Sequence, residues 1–218
     1  MTVSSEKVET PQIYRDLHQR LITAGFSPGE KLKSENLRDV YGCSANTIRD
    51  VLLRLSTVGL VSFEEQRGFR AQETSPEKRH DVARFRILLE QEGASLSIRN
   101  GDIMWEAQLT AAHHKLSHIE TTIAKRGELE AYLPLWSSAE WEFHDTLISA
   151  CQSPLLRNTY RNIYDQFRQQ MVAQERDFGS NYFHAIITEH QAILDAALER
   201  DEDRCRHAIF EHMKRNFI

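Results

Sequence analysis

Apolar residues fall into two spacings along this chain. From Pro11, the positions Ile13, Leu17 and Leu21 step by four along one helical face, and Gly25 followed by Pro28-Gly29 ends that element. A second, short helix is predicted from Ser34, whose hydroxyl can accept the first free amide protons, with Leu37, Val40 and Tyr41 as its apolar positions and Gly42 as its stop. Cys43 makes a bend, and Ser44 caps a third helix whose face is Ile48, Val51, Leu52 and Leu55, at i, i+3, i+4 and i+7. After Gly59 the stretch from Leu60 through Glu64-Glu65-Gln66 and Arg67-Gly68 to Arg70 reads as two short strands with a basic tip. The polar run Glu73-Thr74-Ser75-Pro76 breaks the chain, and beyond it the helical period holds to the end. Helices are predicted near 77–99, 102–125, 131–151, 155–176, 181–199 and 202–216, separated by Asn100-Gly101, Arg126-Gly127, Ser153-Pro154, Gly179-Ser180 and a capping Asp201.

The expected fold is mainly α. Residues 1–10 are a disordered N-terminus, 11–73 a winged helix-turn-helix and 77–218 an all-α bundle of six to seven helices. Two helices across a Gly-containing turn place the first residues of the second helix in the DNA major groove, and a following hairpin is placed to touch phosphates or the minor groove. Candidate DNA-contacting residues are therefore Lys33, Ser44, Asn46, Thr47 and Arg49, with Arg67 and Gly68 on the wing. The small and amide side chains at the start of the third helix allow close approach. A rival structural reading is a plain helical hairpin followed by an incidental turn.

Charge leaves the DNA reading open. Residues 1–70 hold 10 Lys and Arg against 9 Asp and Glu, and the remainder 17 against 23, within a total of −5. Phosphate contacts depend on where Lys and Arg sit rather than on their sum. The three cysteines, Cys43, Cys151 and Cys205, have no paired spacing, no apolar run reaches the ~20 residues that span a bilayer, and no secretory signal is present. A reduced, cytoplasmic setting without membrane partners is expected.

Polar residues interrupt the apolar stripes of the second half. One stripe reads Leu133, Trp136, Glu140, Phe143, His144, Leu147 and Cys151; another Phe183, Ile187, His190 and Leu194; the last Cys205, Ile209, His212 and Asn216. Burying an unpartnered polar group costs about 2 to 7 kcal/mol, so Glu140, His144, His190 and His212 need mutual partners or an ion. Imidazoles with one carboxylate suit Zn²⁺ first, with Ni²⁺, Mn²⁺ or Fe²⁺ as alternatives, and leave positions for water or a carboxylate ligand. Core histidines satisfied by hydrogen bonds are the other reading. His113, His114 and His118 lie off the stripe of Trp105, Leu109, Ala112 and Leu116 and are expected on a solvated face, without metal. Trp136, Trp141, Phe143 and Phe167 are expected in the core.

Two stretches carry a resemblance. Pro28-Gly29, Leu32, Gly42, Ser44, Arg49, Leu52, Leu55, Gly59-Leu60-Val61 and Arg67-Gly68 resemble the winged helix of the GntR family of bacterial transcription regulators. WEFHDTLISA, EHQAILDAALERD and the terminal HAIFEHM are similar to the FCD ligand-binding domain of its FadR-like subfamily. The resemblance implies that an acidic residue, a His four residues later and two further His bind metal, here Glu140, His144, His190 and His212, with Glu140 standing where the family has Asp. It also places an Arg near the effector; Arg86 occupies that place and could equally pair with Glu90. Ala45 replaces the Arg that commonly follows Ser44, and Thr47 replaces a Pro, so the operator sequence does not carry over from the family.

Together these features lead to the expectation of a dimeric, DNA-binding transcription regulator, a repressor, whose bundle senses a small organic acid beside a bound metal. Two-fold symmetry follows because one winged helix makes too few contacts for operator affinity, whereas two half-sites add. The alternative from another class is a metal-dependent hydrolase using the His and Glu residues to activate water.

Overall fold

A computed structural model describes residues 9–172 and 180–217, leaving most of the expected N-terminal tail outside. Glu9 and Thr10 already belong to the first helix and its cap, with the Glu9 amide donating to Gln12 Oε1 at 3.3 Å.

The first unit is built on α1 (Thr10–Ile22), α2 (Ser34–Tyr41) and α3 (Ala45–Thr57), followed by the hairpin β1 (Val61–Glu64) and β2 (Gly68–Ala71). Pro11 sits in the first turn of α1, where a missing N–H leaves no bond unmade. Gly42 ends α2 in the left-handed region at φ 63°, which is strained for residues with a Cβ. Ser44 caps α3 as its sequence position indicates, its Oγ accepting from the Thr47 amide at 3.1 Å. Two local expectations change. Ser34 is the first helical residue of α2 rather than its cap, since Lys33 takes the extended cap conformation. Val40 is 67% exposed, because a helix of only 8 residues packed on one side buries only Leu37 and Tyr41.

The strands pair antiparallel, with Val61 opposite Ala71 and Glu64 opposite Gly68. Gly68 has φ 75°, so the tip turns back where a side chain would be strained. The segment before α2 extends this hairpin: the Leu32 amide donates to the Phe69 carbonyl at 2.9 Å, and Ala71 to Glu30 at 2.9 Å. One apolar core ties Ile13, Leu17, Leu21, Leu37, Ile48, Leu52, Leu55, Leu60 and Phe69 together.

The second unit contains α4 (Pro76–Asn100) from His80 onward, α5 (Ile103–Arg126), α6 (Leu129–Leu147), the first half of α7 (Pro154–Val172), α8 (Ser180–Leu198) and α9 (Glu202–Met213), ending in a 3₁₀ turn at Lys214–Phe217. Asp102 caps α5 through the Met104 and Trp105 amides, Ser153 caps α7 through Leu156, and Asp201 caps α9 through Arg204. The end of the segment expected at 155–176, beyond Val172, lies outside the described residues, as does Gly179. The core joins Trp105, Leu109, Leu116, Ile123, Trp136, Phe143, Leu147, Phe183, Ile193 and Ile209. No helix among the described residues is long and apolar enough to cross a membrane.

The second half of α7, from Tyr164, groups with the first unit. There His18 Nε2 meets Asp165 at 2.8 Å, and the side-chain amides of Gln166, Gln169 and Gln170 donate to the carbonyls of Val58, Leu60 and Glu73 at 3.0–3.1 Å. Gly59 is required beside them. Its φ is 79°, and a Cβ there would come within 2.6 Å of the Gln166 amide nitrogen.

Replacing Ser44 by Ala is expected to remove about 1 kcal/mol of stability by leaving the Thr47 amide without its cap, whereas Asp at this position, an equally good acceptor, should keep most of it. Urea melts of the three proteins measure this, and an unchanged midpoint for Ser44→Ala would contradict the cap.

Candidate functional site

Three imidazoles converge inside the helical unit. His144 sits near the end of α6, His190 in the middle of α8 and His212 at the end of α9, each on the buried stripe of its helix. Their ring centroids are 5.4 Å apart for His144 and His190, 5.4 Å for His144 and His212, and 4.5 Å for His190 and His212. One ligand nitrogen from each lies within 4.8 Å of the others. Phe143 packs edge-on against His144 and His190 and closes one side with apolar surface.

Each imidazole turns its Nδ1 to a different glutamate. His144 Nδ1 lies 2.6 Å from Glu90 Oε1, His190 Nδ1 3.1 Å from Glu120 Oε1, and His212 Nδ1 2.9 Å from Glu189 Oε2. Glu90 and Glu120 are fully buried. These carboxylates come from α4, α5 and α8 and are 54, 70 and 23 residues from their histidines. None was singled out as part of the site from sequence. The available signal was weak: Glu120 falls between Leu116 and Ile123 on the inward arc of α5, and Glu90 is one turn beyond Arg86. Arg86 is wholly buried, and its Nε donates to Glu90 Oε2 at 3.2 Å, so the salt bridge considered from the sequence is present.

The electrostatics follow from burial and these pairs. Burial alone would raise the Glu90 carboxyl, but the charges of His144 and Arg86, with hydrogen bonds from His144 and Tyr160, bring it down to about 2. Burial lowers His144, with Arg86 and His190 adding to it. Those two tendencies meet in one arrangement: an ionised Glu90 held by Arg86 and Tyr160, accepting Nδ1–H from a neutral imidazole. Burial would lower His190 as well, yet the Glu120 charge and hydrogen bond raise it, helped by Glu140 and Glu189. His212 is driven well below the usual range by burial and by the neighbouring imidazoles.

The histidines expected together are thus brought together, while Glu140 is not in the set that shares the 4.8 Å separation. It is buried one turn before His144, and its charge reaches His190. His113 corrects the reading of a solvated histidine face. His114 and His118 are exposed, but His113 is only 6% exposed and packs edge-on against Phe143 at 5.6 Å. α5 is packed by both α6 and α8, so its buried arc is wider than one apolar stripe and takes in both His113 and Glu120. Trp136, Phe143 and Phe167 are in the core as expected, and Trp141 is half-buried.

On the other unit, Lys33, Ser44, Asn46 and Arg49 are exposed at the start of α2 and along the outer side of α3, with Thr47 half-buried. Ser44 Oγ and Thr47 Oγ1 lie 2.9 Å apart, so both serve the α3 cap. Arg67 stands beside the hairpin tip with its side chain 71% exposed, and its ion pair to Glu64 at 3.2 Å is solvent-screened and weak. Gly68 is half-buried at the first position of β2.

A helix-turn-helix with a wing, followed by an all-helical unit with a buried histidine cluster, defines a class of regulator, and comparison with known proteins identifies it. Residues 81–215 match the FCD domain and residues 9–70 the gntR family of bacterial regulatory proteins. The chain belongs to the GntR family, in the group whose second domain is FCD, and is a DNA-binding transcription regulator. It is 30% identical to the HTH-type transcriptional regulator BphR of Paraburkholderia xenovorans over 92% of this chain and 80% of that protein. It is 28% identical to the HTH-type transcriptional repressor GlaR of Escherichia coli over 92% and 90% respectively. Among solved structures, Escherichia coli McbR/YncC shares the fold with a TM-score of 0.76 at 23% identity, covering 96% of this chain and 95% of that one. The family and these relatives are regulators rather than enzymes, which sets the hydrolase alternative aside.

The Glu90 pair has a pH signature. Its carboxyl is lowered on folding, so the folded state holds that proton more weakly than the unfolded chain does. The stabilisation is fully present above the ordinary value of 4.5 and is lost as pH falls towards about 2. Melting temperature measured across this window should fall more steeply for the natural protein than for Glu90→Gln, and parallel curves would contradict the assignment.

Proposed function

We propose that the chain is a cytoplasmic homodimeric repressor whose operator affinity is controlled by a small organic acid bound beside a divalent metal in the helical unit. The observation that carries this reading is the buried cluster of His144, His190 and His212, with a nitrogen of each within 4.8 Å of the others. The residues fit such an ion. His190 Nε2 is buried with no hydrogen-bond partner among the described residues, and Nδ1 of every ring is already engaged by a carboxylate. His144, His190 and His212 would hold the ion, Zn²⁺ first with Ni²⁺, Mn²⁺ or Fe²⁺ as alternatives, and Glu140 is the further candidate ligand. When bound, it supplies positive charge and open coordination positions for a carboxylate. Arg86 is the second cationic group for the effector in this reading, since its permanent charge is buried close enough to act on His144 and His212. Repression is supported by the relative GlaR, which is named a repressor.

At the DNA, Lys33, Ser44, Asn46, Thr47 and Arg49 form the face towards the major groove, and Arg67 and Gly68 the wing. Arg49 is exposed next to Ile48, whose side chain is in the core, so its removal leaves the fold intact. Arg49→Ala should weaken binding to an operator selected from random duplexes by about 1 to 3 kcal/mol if it reads a base, or lower the salt slope by about one if it holds a phosphate. Unchanged affinity and salt dependence would remove this docking.

The metal is tested by elemental analysis of purified protein, which should find roughly one transition metal per chain. A chelator should then lower the melting temperature, because an ion bound only to the folded state stabilises that state. His190→Ala should lose most of the metal and, with it, the response of operator binding to organic acids, while Glu140→Gln separates two roles: metal lost places Glu140 among the ligands, and metal retained makes it a group that orients His144. Protein without stoichiometric metal and indifferent to the chelator would remove the metal and leave the DNA-binding unit untouched.

A further inference from the structure

The three histidines are held by one design repeated three times. In each case a glutamate from another part of the chain accepts at Nδ1, and that glutamate is itself held by a separate donor. Glu90 Oε2 accepts from Tyr160 at 2.6 Å and from Arg86 at 3.2 Å. Glu120 Oε1 accepts from the Trp136 indole at 3.2 Å. Glu189 Oε1 is paired with Arg215. A core histidine that only needed its hydrogen bond could use a backbone carbonyl or a hydroxyl, which brings no charge into the interior. Three carboxylates at three imidazoles instead bring negative charge behind each ring, and burying such charge is costly unless something positive answers it. Arg86 and Arg215 answer it at Glu90 and Glu189, whereas the donor at Glu120 is the neutral Trp136 indole.

We propose that Glu90, Glu120 and Glu189 are positioning residues that hold His144, His190 and His212 as Nδ1–H tautomers, so that Nε2 is the ion-binding nitrogen of all three. This rests on the metal reading above. An imidazole that donates Nδ1–H to a carboxylate has a fixed ring orientation and a more basic Nε2, which is what a cation requires of its ligand. With Nδ1 of each ring taken by its own glutamate, Nε2 is the nitrogen left for an ion, and the Nε2 of His190 is buried with no hydrogen-bond partner among the described residues.

The test uses the full chain and Zn²⁺ alone. Glu90→Gln, Glu120→Gln and Glu189→Gln keep shape and an acceptor oxygen but remove the charge. Competition against a chromogenic chelator should show Zn²⁺ affinity reduced ~10- to 100-fold in each, and the melting temperature of the metal-free protein should fall most in Glu90→Gln, which leaves the buried Arg86 without its counter-charge. Nitrogen NMR of the metal-free natural protein at mildly alkaline pH should show the proton on Nδ1 of the three rings. Natural-protein Zn²⁺ affinity in all three variants, or protons on Nε2, overturns the assignment. A natural protein that binds no Zn²⁺ fails the metal reading itself, a different outcome from Zn²⁺ bound equally by natural protein and variants. If one variant does not fold, the other two decide.

Discussion

Charge buried away from water has to be answered within hydrogen-bond reach, and the helical unit is arranged around that constraint. Glu90 could not remain ionised in an apolar interior without Arg86, Tyr160 and His144, all of which reach it at 3.2 Å or less. Those contacts draw α4, α6 and α7 to one point. Glu120 does the same for α5, α6 and α8 through Trp136 and His190. Apolar packing supplies most of the driving force for the bundle, but it is non-directional, whereas these pairs specify which helix faces which.

The DNA-binding unit is held by a different balance. Its core is apolar, and its polar contacts mostly satisfy main-chain ends: Ser44 for the start of α3, Gly42 for the end of α2, and the amides of Gln166, Gln169 and Gln170 for the carbonyls of Val58, Leu60 and Glu73. The last group has a consequence for where this unit ends in sequence. Part of what completes it comes from the second half of α7, about a hundred residues beyond the hairpin. The outer side of α3 takes no part in that core, and Asn46 and Arg49 are exposed there.

The function follows from combining the two units. A helix-turn-helix with a wing can bind a duplex, and the buried imidazole cluster could hold a metal ion. The family assignment joins the two units in one DNA-binding transcription regulator.

Local elements were determined by the sequence alone. Helix periods, the caps at Ser44 and Asp201, and the positive φ angles at Gly42 and Gly68 depend on residues within a few positions of one another, and each lies where its local pattern puts it. His144, His190 and His212 were also legible, because polar residues within apolar stripes need explaining. Their partners were not. Glu90, Glu120 and Glu189 stand among ordinary helical charges, and His113 lies off its stripe. A hydrophobic pattern reports one face of one helix, while burial of α5 on two sides and pairings across 54 to 70 residues exist only once the helices have packed.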